Sequence, residues 1–329
     1  MNRQHFLRAL VLGACLSCTG PALAQQPSSA WPTQPIRLIN PFPAGGPTDG
    51  TSRWLAERVG KELGQTIVVE NVPGASGSLG MRRVAQAQPD GYTIGYGYTG
   101  THVLAPALYP KVGYDPIKDF TFIAQLKEYS NVLVVKADKP YRTLADLIEA
   151  ARKAPGTISY GSAGNGSSNH LSGVMLEKMA DVKFIHAPYR GSAPALMDLL
   201  AGNIAFMFDE VNTPQSTPYI QNGTLRALAV TNTERVPEMP NVPTVAESYP
   251  GYVFQGRSGI VAPAGVPAPI VERLSAAIGH ALNSPEGKAW AAANGANFKY
   301  APSVEFAEHI KKDIVTWVPI VKESGARVE

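Results

Sequence analysis

Short runs of β-branched residues alternate with longer stretches of helical periodicity along almost the whole chain, and this alternation restricts the fold most strongly. Ile36–Ile39 predicts a strand, and Thr51–Leu63 a helix with Leu55, Val59 and Leu63 on one face. Ile67–Glu70 predicts a second strand, followed by a Gly/Ser loop and a helix around Leu79–Ala87. Asp90-Gly91 turns the chain into a strand at Tyr92–Tyr96, and Phe120–Leu126 and Val132–Val135 read as two more. Thr143–Lys153 is helical, with Thr143 as its N-cap and Pro155-Gly156 as its stop. Thr157–Gly161, Phe184–His186, Ile204–Phe208 and Leu225–Val230 supply further strands. Strands separated by helices imply a mostly parallel, doubly wound α/β sheet.

The first residues belong to a different kind of segment. Arg3 and Arg8 precede an apolar run, Ala9–Cys18, which Thr19-Gly20-Pro21 breaks before Ala22-Leu23-Ala24. A basic start, a short apolar stretch and a small-x-small site make a secretory leader, cleaved after Ala24. Leu12-Gly13-Ala14-Cys15 offers a second reading, a lipid anchor on Cys15. Cleavage after Ala24 removes both cysteines, so disulfides and thiolate metal sites drop out. It also takes two of the 29 basic residues, leaving 27 against 26 acidic ones. That balance cannot neutralise a polyphosphate, and no basic cluster is interleaved with aromatics, so nucleic acid is excluded as a partner.

Two places read as crossings between domains. One is Leu126–Asn131, where a strand ends and a polar stretch intervenes; the other is the Pro-rich return Val236–Tyr252. A chain that leaves its first domain and comes back makes two lobes with a cleft between them. The expected division is a leader at 1–24, a first lobe at 25–126, a second at 127–253, and a return to the first at 254–329.

Chemistry concentrates in the glycine loops. Pro41–Gly50 (PFPAGGPTDG) and Gly161–Asn169 (GSAGNGSSN) each follow a strand and open a helix, at the sheet edge where open α/β folds hold ligands. Phe42, Ala44, Gly45 and Gly46 in one, and Ser162, Ala163, Asn165, Gly166, Ser167 and Ser168 in the other, offer amides and hydroxyls at a helix N-terminus. Such a terminus carries roughly half a positive charge and suits an anion. Neither loop contains lysine or arginine, so the grip would come from oriented dipoles. Tight turns without a ligand are the structural alternative. Asp49 reads first as an N-cap for the Thr51 helix, and Ser168 and Asn169 as caps for the helix His170–Met179.

Gly95-Tyr96-Gly97-Tyr98-Thr99-Gly100 matches a dinucleotide fingerprint, yet Pro106 and Pro110 would end any helix begun at Thr101. It reads as a third loop at the cleft edge, with Tyr98, Thr99 and Thr101 able to touch a ligand. No nucleophile–base, P-loop or zinc-protease motif is present, and the histidines show no ligand spacing, so no cofactor or metal is expected. His102 and His170 read as capping or solvent-contact residues within reach of the cleft, and His186 and His280 as surface or satisfied core residues. Asp209, ending a buried strand, reads equally as a capping or hinge-locking carboxylate and as a ligand contact.

The order of motifs, PFPAGGPTDG, VVENVPGASGSLG (Val68–Gly80), QPDGYT, YGSAGNGSSNHL, PYRGSAPALMDLLAGNIAFMFD, LRALAVT and PNVPTVAE, resembles the Bug-type periplasmic solute receptors of the tripartite tricarboxylate transporter family. The resemblance spans the mature chain. It implies a type II periplasmic binding-protein fold, two α/β lobes joined by two crossing segments, closing on a small carboxylate. It also implies that Phe42, Ala44, Gly45, Asp49, Ser162, Asn165, Gly166, Ser167, Ser168 and Asp209 contact that ligand. Two departures bear on specificity: Arg257 stands where the family usually has an aromatic, and Glu210 where it commonly has Asn. Arg257 is expected to pair with a second, distal anionic group, or else to form an ion pair with Glu210 or stand as a solvated hinge residue.

The function expected is a monomeric periplasmic receptor delivering an organic carboxylate to membrane transporter subunits, without catalysis. A secreted α/β enzyme acting on carboxylates and a receptor for a sensor ectodomain are the alternatives.

Overall fold

The computed structural model describes residues 31–109 and 111–323. The leader with its cleavage site, Cys15 and the Pro110 stop lie outside the described residues. Strand β1 (Ile36–Asn40) runs into α1 (Pro47–Leu63), whose first residue is a proline. Proline suits that place because an N–H there has no helical acceptor. The helix therefore starts four residues before Thr51, with Gly46 at the N-cap and Asp49 inside the first turn. Strand β2 (Ile67–Asn71) pairs parallel with β1, Ile36 opposite Ile67. A 3-10 turn, Ala75–Gly77, opens α2 (Ser78–Ala85), and β3 (Thr93–Tyr98) pairs parallel with the other edge of β1. A π turn over Gly100–Leu104 continues into α3 (Ala105–Leu108). Pro106 thus sits as the second residue of α3 within this helical stretch instead of ending it, and the Thr101 carbonyl accepts from Tyr114 OH at 2.6 Å.

No strand ends at Leu126–Asn131. Strand β4 (Phe120–Lys136) is continuous over 17 residues. Its polar middle is buried because partners far away in sequence satisfy it. Lys127 Nζ donates to Glu210 Oε1 at 2.6 Å, and Glu128 Oε2 accepts from Lys299 at 2.8 Å and Gln255 at 3.1 Å. Asn131 Nδ2 donates to Ser172 Oγ at 2.9 Å.

Helix α4 (Leu144–Lys153) is capped as expected, Thr143 and Asp146 bonding each other's backbone N–H, a device worth about 1 kcal/mol. There follow β5 (Ser159–Ser162), α5 (Ser168–Ala180), β6 (Ile185–Pro188), α6 (Ser192–Ala201), β7 (Phe206–Glu210), α7 (Thr217–Gln221) and β8 (Leu225–Val230). The last part comprises β9 (Gln255–Pro263), α8 (Ala268–Asn283), α9 (Pro285–Asn294), β10 (Phe298–Pro302) and α10 (Ser303–Glu323).

The strand order is β2-β1-β3-β9-β4-β7-β5-β6, with β10 and β8 also pairing with β4. Pairs of β1 with β2 and β3, and of β5 with β6 and β7, are parallel. Every pair involving β4 or β9 is antiparallel, so the sheet is mixed instead of mostly parallel. The cause is that the chain travels through the sheet's middle on these two strands. β4 pairs with β9 and β10 along its first part, Phe120–Ser130, and with β7 and β8 along Asn131–Lys136. Two α/β halves therefore share one strand. The Pro-rich return stays with the second half, where Val230 N–H donates to Pro243 O at 2.9 Å. The chain recrosses at the start of β9, with Gln255 opposite Ser130 and Arg257 opposite Glu128.

Alternate residues of a strand face opposite sides of a sheet, and here they feed different cores. Leu133 and Val135 join a large core that also holds Ile39, Met81, Leu104, Phe122, Leu171, Phe208, Phe254, Phe306 and Trp317, so it runs through both halves without interruption. Val132 and Val134 join a smaller core of the second half with Leu196 and Met207, and Ile123 and Leu126 join a core of the first half under α1 and α8. These last two do not merge. Between them lies a groove of about 790 Å³, walled by Leu282 and Phe298 on one side and Val211 and Val236 on the other.

Candidate functional site

Parallel strands β1 and β5 end at the two glycine loops, and β3 ends at the third. In the first loop the organising group is Asp49. Its Oδ2 accepts from the Gly45 amide and from Arg53 Nε, both at 3.0 Å, and its Oδ1 accepts from Asn71 Nδ2 at 2.9 Å. Asn71 Nδ2 also donates to Phe42 O at 3.0 Å, which ties the loop to the end of β2. Burial pushes the Asp49 carboxyl up, but the hydrogen bonds from Arg53, Gly45 and Asn71 outweigh it and hold the group at about 2. The expected N-cap role is therefore wrong in its position: Asp49 is the third helical residue and reaches backward to the loop. Its oxygens are occupied by the loop it braces.

In the second loop two histidines do the corresponding work. His186 Nε2 lies 2.7 Å from Ser162 Oγ, which also accepts the Gly164 amide at 3.1 Å. The Gly166 amide donates to His170 Nδ1 at 3.1 Å, and the rings of His170 and His186 stack at 4.0 Å. Burial, and for His170 also the neighbouring His186, drives the two imidazoles down to about 3 and about 4, so both are neutral at pH 7. The N-cap of α5 is Ser167, which accepts from the His170 amide, and not Ser168 or Asn169. Asn169 instead donates to Phe208 O at 2.7 Å, fastening α5 to β7.

The third loop knits itself to its neighbours. Thr99 Oγ1 accepts from the Arg257 amide at 2.8 Å, and Thr101 Oγ1 donates to Tyr98 O at 3.0 Å. His102 is neither a cap nor a solvent contact: it is buried against Phe120 and Phe122, and burial lowers it to about 4. Asp209 bonds within its own turn, accepting from Thr213 at 3.1 Å, and burial raises it to about 6. Arg257 does not pair with Glu210. Its Nη1 contacts both oxygens of Asp313 at 2.6 and 2.7 Å, its Nε lies 3.4 Å from Glu128, and Glu210 is paired with Lys127.

A chain of contacts connects the three loops. The Phe42 ring lies 4.9 Å from that of Tyr98, and Tyr98 OH donates to Ser76 O at 3.1 Å. Ser76 Oγ then donates to Asn165 O at 2.6 Å. Ser76, Tyr109 and Asn71 were missed from sequence. The available signal was Val72–Leu79, a Gly/Ser-rich strand-to-helix loop of the same type as the other two.

Some backbone amides of the two glycine loops are spent and others are not. Gly45, Gly164, Gly166 and Ser167 spend their N–H groups inside their own loops. The amides of Phe42, Ala44 and Gly46 in the first loop and of Ala163 and Asn165 in the second have no partner among the described residues. Ala44 and Gly45 are exposed, and Phe42, Gly46, Ala163, Asn165, Ser167 and Ser168 are half-buried. The 790 Å³ groove is lined by none of these residues. Among the described residues no cluster of three or more potential ligand side chains could hold a metal, and no helix is long and apolar enough to cross a membrane.

The model of the tripartite tricarboxylate transporter family receptor matches residues 51–326. Three solved structures are similar over most of the chain. An R. palustris protein with adipate has a TM-score of 0.82 and 35% identity, covering 90% of this chain and 98% of that one. The periplasmic binding protein BugD has a TM-score of 0.81 and 35% identity over 91% and 100%. MatC from Rhodopseudomonas palustris, with bound malate, has a TM-score of 0.80 and 34% identity over 88% and 100%.

Proposed function

The chain belongs to the tripartite tricarboxylate transporter receptor family, and on that premise we propose that it is a periplasmic receptor for a small organic carboxylate, held between the first and second glycine loops. The observation that carries the reading is the presence of unspent amides on both loops, among them Ala44 and Gly46 on one and Asn165 on the other, linked through Phe42, Tyr98 and Ser76. Two or three charge-assisted hydrogen bonds at about 1.5–3 kcal/mol each account for micromolar affinity. The half-buried hydroxyls of Ser167 and Ser168 stand beside them, whereas the Gly45 and Gly166 amides serve the loops. The lobes are divided near 126/127 and 253/254, β4 and the start of β9 acting as the crossings. Closure is a shift of population toward the liganded form, with no bond made or broken in the ligand, and the closed receptor hands its cargo to membrane transporter subunits. The similar proteins carrying adipate and malate support the ligand class.

A thermal-shift panel of adipate, malate, a tricarboxylate and an aromatic acid tests this. A true ligand at a hundred times its Kd adds about 2.7 kcal/mol, or a rise of about 5 °C for a chain of this size. A panel in which no acid moves Tm rejects the reading; a panel acid converted to product points to the enzyme.

A further inference from the structure

The loop between β2 and α2 is built under backbone tension and is aimed at the opposite half of the molecule. Four successive residues have positive φ: Gly74 at 131°, Ala75 at 45°, Ser76 at 51° and Gly77 at 83°. Two of them carry side chains, which the left-handed region disfavours. Such a turn persists when its surroundings over-determine it, and the surroundings here are specific. Tyr98 OH holds Ser76 O at 3.1 Å, and a Cβ on Gly77 would stand 2.9 Å from Thr101 and 3.0 Å from Pro41. The turn is thus clamped against the first and third glycine loops.

Its hydroxyl points the other way. Asn165 O can only accept, so the single proton of Ser76 Oγ goes to it, over 2.6 Å, and Tyr109 OH, 3.1 Å away, must donate to Ser76. The same seam is closed by Leu108, whose Cδ1 would lie 2.8 Å from a Cβ on Gly166. One side of the seam is Ser76, Leu108 and Tyr109 from the first half; the other is the second glycine loop.

We propose that Ser76 is the latch between the halves: a positioning residue that fixes the second glycine loop over the ligand without touching the ligand itself. The assignment rests on the carboxylate-receptor reading and adds the element that holds the closed form. The bond from Ser76 fastens the carbonyl of Asn165, a residue whose own amide has no partner among the described residues. Its loss releases that amide from its fixed orientation and lets the halves part.

The test uses the full mature protein with adipate and malate as probes, measuring Kd by calorimetry and the off-rate by stopped flow. Ser76→Ala and Ser76→Gly both remove the hydroxyl, and glycine also relieves the left-handed strain. A latch predicts about tenfold weaker Kd in both, carried by a faster off-rate. The Tm without ligand should rise or hold in Ser76→Gly. Tyr109→Phe leaves the Ser76–Asn165 bond and should change Kd by less than threefold. An affinity and off-rate equal to wild type in Ser76→Gly overturns the latch. Failure of wild type to bind any acid overturns the receptor reading instead, so the two failures are distinct.

Discussion

The backbone N–H of Gly166 is hydrogen-bonded to the imidazole of His170, at 3.1 Å from Nδ1, so a ring nitrogen that must be unprotonated holds the second glycine loop in shape. Unfolded histidine titrates near 6.5, whereas burial, with His186 adding to it, keeps folded His170 neutral down to about 3. Below pH 6.5 the unfolded chain takes up a proton that the folded chain refuses, so stability is full above that pH and falls as pH drops. His170 contributes up to about 1.4 kcal/mol per pH unit to that fall. Asp209, raised by burial to about 6, works in the opposite direction between 6 and 4. Urea midpoints at pH 7, 6 and 5 should therefore decline in wild type and decline less in His170→Gln, which keeps an acceptor but does not titrate.

Asp49 responds at the other end of the scale. Its folded carboxyl is held at about 2, so its contribution is present above pH 4 and is lost only as pH falls toward 2. Asp49→Ala removes the acceptor for Gly45, Arg53 and Asn71 together and should cost about 2 kcal/mol at pH 7. Ligand affinity should fall with it, because the Ala44 and Gly46 amides lose their frame; an unchanged titration would show that the loop keeps its shape without the carboxylate.

Arg257 and Asp313 form a pair with only 14% and 9% of their side chains exposed. Burial pushes Asp313 up and the guanidinium pulls it back. Arg257→Met leaves the carboxylate unpaired and should cost about 3 kcal/mol by chemical denaturation. Adding Asp313→Leu should restore most of that loss. If the single and double variants lose equally, the pair is not the source of the cost.

Trp317 of α10 is buried and lies 5.0 Å from the Phe254 ring. Trp317→Ala should cost about 3–5 kcal/mol, far more than an exposed change on the same helix such as Val315→Ala. A loss below 1 kcal/mol would show that α10 is not fastened to the large core.

Elements specified by their own residues were legible. The strand at Ile36–Ile39, the Thr143 cap and the two glycine loops were all read from local pattern, and the family resemblance placed them in one receptor fold. What the pattern missed depends on partners distant in sequence. The stretch Leu126–Asn131 looks like a crossing where a strand ends because it is polar, yet Glu210, Lys299 and Ser172 make it the middle of a strand. Arg257 looks available until Asp313, 56 residues on, is placed beside it. Asp49 looked like an N-cap because the helix start was read four residues late, past a proline that can begin one. Ser76 escaped because its role needs a left-handed backbone and a carbonyl across the seam, neither of which composition encodes.

The large core passes through both halves while the two smaller ones stay apart across the 790 Å³ groove. Heat should therefore melt residues 31–323 in a single calorimetric transition, since neither half owns a complete interior that could survive the other's loss. Flexing should have a preferred direction for the same reason: the uninterrupted interior is close-packed and resists shear, and the groove is where the halves can approach or separate without breaking that interior. The receptor can bend and still denature as one body.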